Sequence, residues 1–259
     1  MPEIALSVIL ITRNESRNIA ACLKSVAFAD EWIVVDSEST DGTAETARAM
    51  GAQVITTPDW PGFGKQKNRA LEAARGRWVL SLDADERVSP ELAARIREVV
   101  ARDGPADGYE LSRISRFCGQ WMRHGDWYPD RVLRLFRGGQ ARFTDDLVHE
   151  RLVVQGRVEQ LAGDLLHDTM PSLDDALEKM NRYSSGRARD KVAAGKRGSL
   201  LAALVHGWWA FVRCYVLKRG FLDGRLGLVL AIYQAEGTYY RYIKMDLLAR
   251  QDGKSIEPI

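Results

Sequence analysis

Two apolar runs in this chain end on an acid: Trp32-Ile-Val-Val-Asp36, and Trp78-Val-Leu-Ser-Leu-Asp83, which continues as Ala-Asp85-Glu86. Runs this short, built of β-branched or bulky residues, read as strands buried on both faces, and the carboxyl ends of parallel strands are where open α/β sheets bind ligands. The surrounding periodicity agrees. A strand over 4–12 precedes a helix with the apolar stripe Ile19, Leu23 and Val26, for which Asn14 is the expected cap. Asp41-Gly-Thr opens a second helix that runs through Met50 and stops at Gly51, before a strand over 53–56. Right-handed crossovers between such strands build a parallel sheet. A Gly/Pro-rich loop over 58–64, a helix over 65–75 and the Asp83 strand follow, and Ser89-Pro90-Glu91 then starts a helix with Ser as N-cap and Pro at N1. From Tyr109 the texture changes to short alternating runs (109–113, 132–136, 152–155), read as added antiparallel strands; from Ser172 the pattern is helical.

Charge is distributed unevenly. The net charge is +2, yet the stretch from Arg182 to Arg225 holds ten Lys or Arg against two acids, a local balance of +8. An apolar content of 46% with 28% charged residues excludes a disordered or nucleic-acid-coating chain. Cys22, Cys118 and Cys214 form no CxxC pair and no zinc pattern, which leads us to expect a reducing compartment. Met1 to Ile11 lacks a basic n-region and reads as a first strand, so a cytoplasmic location is expected. Within the basic stretch, the uncharged run from Gly198 to Val212 is short of the ~20 residues of a spanning helix. Trp208, Trp209, Phe211 and Tyr215 beside Arg197, Arg213, Lys218 and Arg219 instead suit a helix lying among anionic headgroups, on the inner face of the cytoplasmic membrane.

The polar residues at the strand ends carry the chemistry. Thr12, Asn14 and Glu15, at a strand-to-helix turn, offer backbone N–H groups and side chains to an anion, a base or a ribose, or simply cap the helix. Asp36, followed by Ser-x-Ser-Thr, suits an imide N–H or ribose hydroxyls, whereas Asp41 is equally a helix cap. Asp83 and Asp85 are placed to share a hard divalent cation and the sugar-phosphate oxygens it bridges, which points to a phosphorylated substrate. Lys65 or Lys67 can contact a diphosphate and Asn68 can reach the site. Arg131 and Arg134, three apart in a strand, face opposite sides and serve different partners, at least one as an anion clamp. Thr144-Asp145-Asp146-Leu-Val-His149-Glu150 is the best remaining source of a general base. His167 completes a metal shell or is structural.

Taken together, Thr12-Arg-Asn-Glu15, Val35-Asp36-Ser-x-Ser-Thr-Asp41-Gly-Thr, Lys65-Gln-Lys-Asn68 and Leu82-Asp83-Ala-Asp85-Glu86 resemble the family 2 glycosyltransferases of the GT-A fold. More narrowly, Trp127-Tyr-Pro-Asp-Arg with Arg134-Leu-Phe-Arg137, Val148-His-Glu150 and Arg219-Gly-Phe-Leu-Asp-Gly-Arg look like the bacterial lipopolysaccharide inner-core β-glucosyltransferases. The resemblance implies an α/β fold with a Rossmann-like mixed sheet, parallel in its N-terminal half. It implies a GT-A domain over 1–170, with nucleotide-sugar binding over 1–105 and the acceptor side over 106–170, and a helical, basic, membrane-associating extension over 171–259. By position, Asp36 contacts uracil, Asp83 the ribose or donor sugar, Asp85 a Mg²⁺ or Mn²⁺ ion, and Glu150 is the base, ahead of His149 and Asp146. The chain departs from the family where a Glu-Asp pair is common and His149-Glu150 stands instead. The implied reaction is inverting transfer of a sugar, glucose by resemblance, from a UDP-sugar to a heptose of a lipid-anchored core oligosaccharide. The alternatives are a polyprenyl-phosphate sugar transferase and a silent nucleotide-sugar-binding scaffold. No GxGTR-like loop follows strand one, which speaks against a nucleotidyltransferase.

Overall fold

The computed structural model describes residues 4–145 and 150–254. Its N-terminal half alternates β1 (Leu6–Thr12), α1 (Ile19–Ser25), β2 (Glu31–Asp36), α2 (Thr43–Ala49), β3 (Gln53–Thr56), α3 (Phe63–Ala73) and β4 (Trp78–Asp83). Next come β5 (Glu86–Val88), α4 (Pro90–Arg102), β6 (Gly108–Phe117), β7 (Gln120–Trp121), β8 (Asp130–Arg137), β9 (Ala141–Phe143), β10 (Leu152–Val154) and β11 (Val158–Met170). The main sheet runs β3-β2-β1-β4-β8-β6-β11-β5. β1 pairs in parallel with β2 and β4, and β2 with β3. β8 joins β4 antiparallel, and β6 joins β8 likewise, so the sheet is mixed, as expected.

All of β1 is buried, which requires cover on both faces of the sheet. Its alternate residues supply two cores. Leu6, Val8 and Leu10 pack with Ile19, Leu23, Leu92 and Ile96, whereas Ile9 and Ile11 pack with Ile33, Val35, Ala70 and Phe143. Burying each such side chain contributes about 1.5–3 kcal/mol. The chain therefore reaches Thr12, Asp36 and Asp83 with little freedom in the strands that carry them.

The chain divides into two compact units. One holds the sequence up to Arg113 together with Asp130–His167, and the other holds Ile114–Pro129 and the chain from Asp168. In the second unit, α5 (Leu173–Ala193) and α6 (Leu200–Val212) are each capped by a serine, Ser172 and Ser199. A π-helical turn, Arg213–Leu217, prolongs α6, and a short 3-10 turn, Gly220–Asp223, leads into α7 (Gly224–Lys254). Phe117, Met122, Met170, Met180, Leu230 and Tyr233 form its core.

One local expectation is corrected, and two strands carry no local signal in the sequence. Asn14 does not cap α1: it sits at φ 57° and its side chain accepts from Thr40 N–H at 2.9 Å, in another loop. Ala84 and Asp85 form a turn, and Glu86–Val88 extends beyond it as β5 because β11 pairs with it, a long-range partnership with no local signal. β11 itself was unrecognised because Glu159, Asp164, His167 and Asp168 dilute its alternation, and most of the strand is only half-buried.

Candidate functional site

The loops after β1 and β2 are tied together by their own polar groups. Thr12 donates its hydroxyl to Asp36 Oδ1 at 2.9 Å, and Ser39 donates its backbone N–H to Oδ2 at 2.9 Å and its hydroxyl to Oδ1 at 2.5 Å. Asp36 is 1% exposed, and three of the roughly four acceptor sites of its carboxylate are used. Across the same gap, Asn14 N–H donates to Ser39, Glu15 N–H to Thr43 and Ser16 N–H to Asp41, at 2.8, 2.8 and 3.0 Å. Asp41 also accepts from Thr43 N–H at 3.1 Å, a local side-chain turn around Gly42, the N-cap of α2. The Ser-x-Ser-Thr-Asp-Gly-Thr run is therefore a mould for the loop that follows β1.

The acid pair at the end of β4 is asymmetric. Asp83 accepts from Arg134 at 2.5 Å and lies 3.2 Å from the Lys67 ammonium. Burial opposes its ionisation, but Arg134 and Lys67 outweigh this and hold its carboxyl well below the usual carboxylate range. Arg134 also donates to the fully buried Glu86 at 2.6 Å, and Arg113 reaches Glu86 at 3.1 Å and Asp130 at 2.6 Å. Asp85 meets His167 instead, with Oδ2 3.2 Å from Nε2. Antiparallel pairing of β11 with β5 brings that histidine into register with Glu86 and so beside the acid pair.

Lys67 joins the two halves of the cluster, since its ammonium also lies 3.0 Å from Glu150 Oε1. Asn68 exchanges two hydrogen bonds with the backbone of Phe143, at 2.9 and 3.0 Å, and so anchors β9 rather than pointing a free amide into the site. Gly64 permits the close approach of α3 to this region: a Cβ there would sit 1.8 Å from Thr144 O. His149 and Asp146 lie outside the described residues.

Of the proposed site residues, Thr12 and Asp36 share one cluster, and Asp83, Arg134, Lys67 and Glu150 share another, with Asp85 and His167 beside it. Lys65 and Arg131 are exposed and join neither. Position explains both: residues two apart on a helix do not share a face, so Lys67 turns in and Lys65 out, and residues three apart on a strand lie on opposite faces. Glu15 belongs with the acids. Burial raises its carboxyl above the ordinary value against the hydrogen bond from Asn18, and the charges of Asp85, Asp41 and Asp83 add to the rise. Sequence reasoning missed Glu86, Arg113 and Asp130 as members of the ion-pair network. Glu86 adjoins Asp85, a usable signal, whereas Arg113 and Asp130 meet only because β6 and β8 pair.

A divalent cation can be tested against this geometry. Asp85 and His167 present an oxygen and a nitrogen 3.2 Å apart, close enough to share an ion. No cluster of three or more His, Cys, Asp or Glu suited to a metal occurs among the described residues. Asp85 supplies one carboxylate oxygen of the kind that holds Mg²⁺ together with phosphate oxygens and water, and His167 would add an imidazole nitrogen beside it.

A mixed α/β sheet with acids at the carboxyl ends of its parallel strands is a framework that binds ligands at those ends, and acids placed there suit the hydroxyl groups of a sugar. Comparison with known proteins agrees. The sequence model of glycosyl transferase family 2 matches residues 7–151. An uncharacterized glycosyltransferase of Rickettsia prowazekii is 33% identical over 93% of this chain and 86% of its own length. The lipopolysaccharide core biosynthesis glycosyltransferase LpsC of Rhizobium meliloti is 30% identical, with 93% and 94% covered. Among solved structures, S. aureus TarS 1–349 in complex with UDP-GlcNAc is 16% identical over 95% of this chain and 92% of its own, with a TM-score of 0.48. The chain belongs to glycosyl transferase family 2. It is a glycosyltransferase of the GT-A fold with a helical C-terminal region.

Proposed function

We propose that the enzyme moves glucose from UDP-glucose, with inversion, onto a heptose of the lipopolysaccharide inner core. The observation that carries the transfer chemistry is the Asp83–Lys67–Glu150 chain, in which one buried cation holds both a strand-end carboxylate and the candidate base. The acceptor class is supported by the relative active in lipopolysaccharide core biosynthesis, which matches nearly end to end.

Each residue has a task in this reading. Asp36, fixed by Thr12 and Ser39, has one acceptor site left for the uracil imide. Asp83 takes the ribose or donor sugar, and the positive charge of Lys67 and Arg134 helps to stabilise the departing diphosphate. Lys67 holds Glu150 by Oε1, and Oε2 has no partner among the described residues, so it is available to take the proton of the attacking hydroxyl. Asp85 and His167 would hold a divalent cation, which when bound neutralises charge on the diphosphate. Attack opposite the leaving group inverts the anomeric centre.

The second unit is read as the membrane address. Leu200–Leu217 forms an apolar segment of 18 residues with mean hydropathy 1.5, of which 17% is buried, and by length and composition it is long enough to cross a membrane. We place it at the surface because of what it packs on. Gly207 faces Tyr239, and His206 stacks on Tyr242 with ring centroids 4.5 Å apart, so a spanning α6 would carry the Glu236, Arg241, Lys244 and Asp246 charges of α7 with it. Trp208 and Trp209 are 66% and 49% exposed, and Arg197, Arg213, Lys218 and Arg219 flank them, a pairing suited to anionic headgroups.

The test is a screen of UDP-sugars with purified truncated core lipid as acceptor. UDP release and a new glucosyl linkage from UDP-glucose are expected. Turnover only with a polyprenyl phosphate, and without dependence on Glu150, would assign the chain to lipid-phosphate sugar transfer, since that acceptor is already ionised.

A further inference from the structure

The helical unit contains a cleft of about 230 Å³ that the transfer chemistry does not use. α5 lines it with Lys179, Tyr183 and Arg187, and α7 with Tyr233, Gly237 and Arg241. Each set repeats every four residues, which places its members on one helix face. Gly237 keeps the helices close, since a Cβ there would lie 3.3 Å from Met180 Cγ.

The chemistry of the lining is one-sided. It has three cations and no acid, with Trp127 beside the two tyrosines. Arg187 forms no ion pair with any described residue. Arg241 lies over the ring of Tyr242 at 5.2 Å, but its Nε is buried with no hydrogen-bond partner. A buried donor left unmet in a cleft of like charges is a place for an incoming acceptor. Guanidinium forks match phosphate oxygens, and flat aromatic faces suit the apolar face of a ring carrier. The volume lies below that of drug-sized ligand sites and suits a single sugar rather than a nucleotide.

We propose that this cleft binds a phosphorylated sugar unit of the acceptor, with Arg187 and Arg241 on the phosphate and the aromatic side chains against the ring. The assignment to the acceptor rests on the reading that the enzyme glycosylates a core oligosaccharide; the binding of a sugar phosphate does not.

The test uses the full chain with its donor site saturated with UDP and Mg²⁺, titrated calorimetrically with mannose 6-phosphate and with mannose. Mannose 6-phosphate is expected to bind with a Kd below about 1 mM and mannose not to bind measurably. Arg187→Gln/Arg241→Gln should weaken binding by about tenfold or more, and Arg187→Lys/Arg241→Lys should restore part of it. Equal behaviour of the two sugars, or unchanged binding by the glutamine variant, overturns the proposal. So does displacement of a fluorescent phosphate ester by phosphatidylglycerol vesicles but not by mannose 6-phosphate, which would make the cleft a lipid-headgroup site. In transfer assays the glutamine variant should raise KM for core lipid, leave KM for the UDP-sugar unchanged, and lose its defect on phosphatase-treated acceptor. Sugar-phosphate binding without any transfer would sink the functional reading and leave the cleft standing.

Discussion

The two units treat charge and apolar surface in opposite ways. In the α/β unit the charged Arg134, Lys67 and Glu86 are buried, Arg134 paired with Asp83 and Glu86 and Lys67 with Asp83 and Glu150, and few large apolar side chains are exposed. In the helical unit the cations lie largely on the surface, as at Arg213 and Lys218, and Leu201, Trp208 and Leu217 are 72%, 66% and 57% exposed. A buried ion pair is costly to break because it strands a charge, whereas an exposed pair contributes little. The first unit is therefore built to hold a fixed electrostatic pattern. The second leaves much of its charge and its apolar surface facing solvent.

The largest effect is expected where the buried pattern is cut. Arg134→Ala leaves Asp83 and Glu86 without their shared partner and should cost about 3–5 kcal/mol in urea unfolding. An alanine at the exposed Arg187 should stay within about 0.5 kcal/mol. Similar losses at both positions would erase the contrast between the units. Next comes Gly64→Ala, which drives a methyl group into the Thr144 carbonyl and should cost about 1–3 kcal/mol together with activity. Wild-type stability in that variant would show that α3 and the Thr144–Glu150 region are not held in close contact.

Glu150→Gln separates chemistry from folding. Its kcat should fall about 10²–10⁴-fold, whereas the melting temperature should fall only modestly, because the amide can still accept from Lys67 and Lys67 keeps Asp83 as its charged partner. In the helical unit, Trp208→Ser/Trp209→Ser should reduce sedimentation with anionic vesicles and leave unfolding unchanged; undiminished sedimentation would remove the membrane reading.

The smallest effects concern pH. The Asp83 carboxyl is depressed in the fold, so its contribution is in full force above the unfolded value of about 3.9 and is lost as pH falls through the folded value. Asp83→Asn should flatten the acid limb of stability below about pH 4. Glu15 is shifted the other way, so its ionisation disfavours the fold above the ordinary carboxyl range. Glu15→Gln should raise the melting temperature slightly at neutral pH, and added Mg²⁺ or Mn²⁺ should stabilise wild type more than Asp85→Asn.

What could be read from the sequence follows from where each interaction lives. The parallel half was legible because β1, β2 and β4 are mostly apolar runs that end in recognisable turns, and Ser89 was legible as a cap because its partner, Leu92 N–H, is three residues away. The linkage of Glu86 to Arg113 and Arg134, and of Asp85 to His167, depends on strand pairing between distant segments, and no local pattern carries it. Lys67 and Lys65 were indistinguishable as letters; the turn of α3 separated them. Asn68 looked like a ligand residue and proved to hold Phe143, because a buried amide with two backbone partners reads the same in sequence as one facing a substrate.

The central claim is that Glu150, held by Lys67, activates a core hydroxyl for a single displacement at the donor sugar. It is tested most directly by the anomeric configuration of the product formed from UDP-α-glucose and truncated core lipid, read by proton NMR. A β-linked glucoside, formed by wild type and lost in Glu150→Gln, is expected. An α-linked product, or an undiminished rate in the variant, would contradict the account.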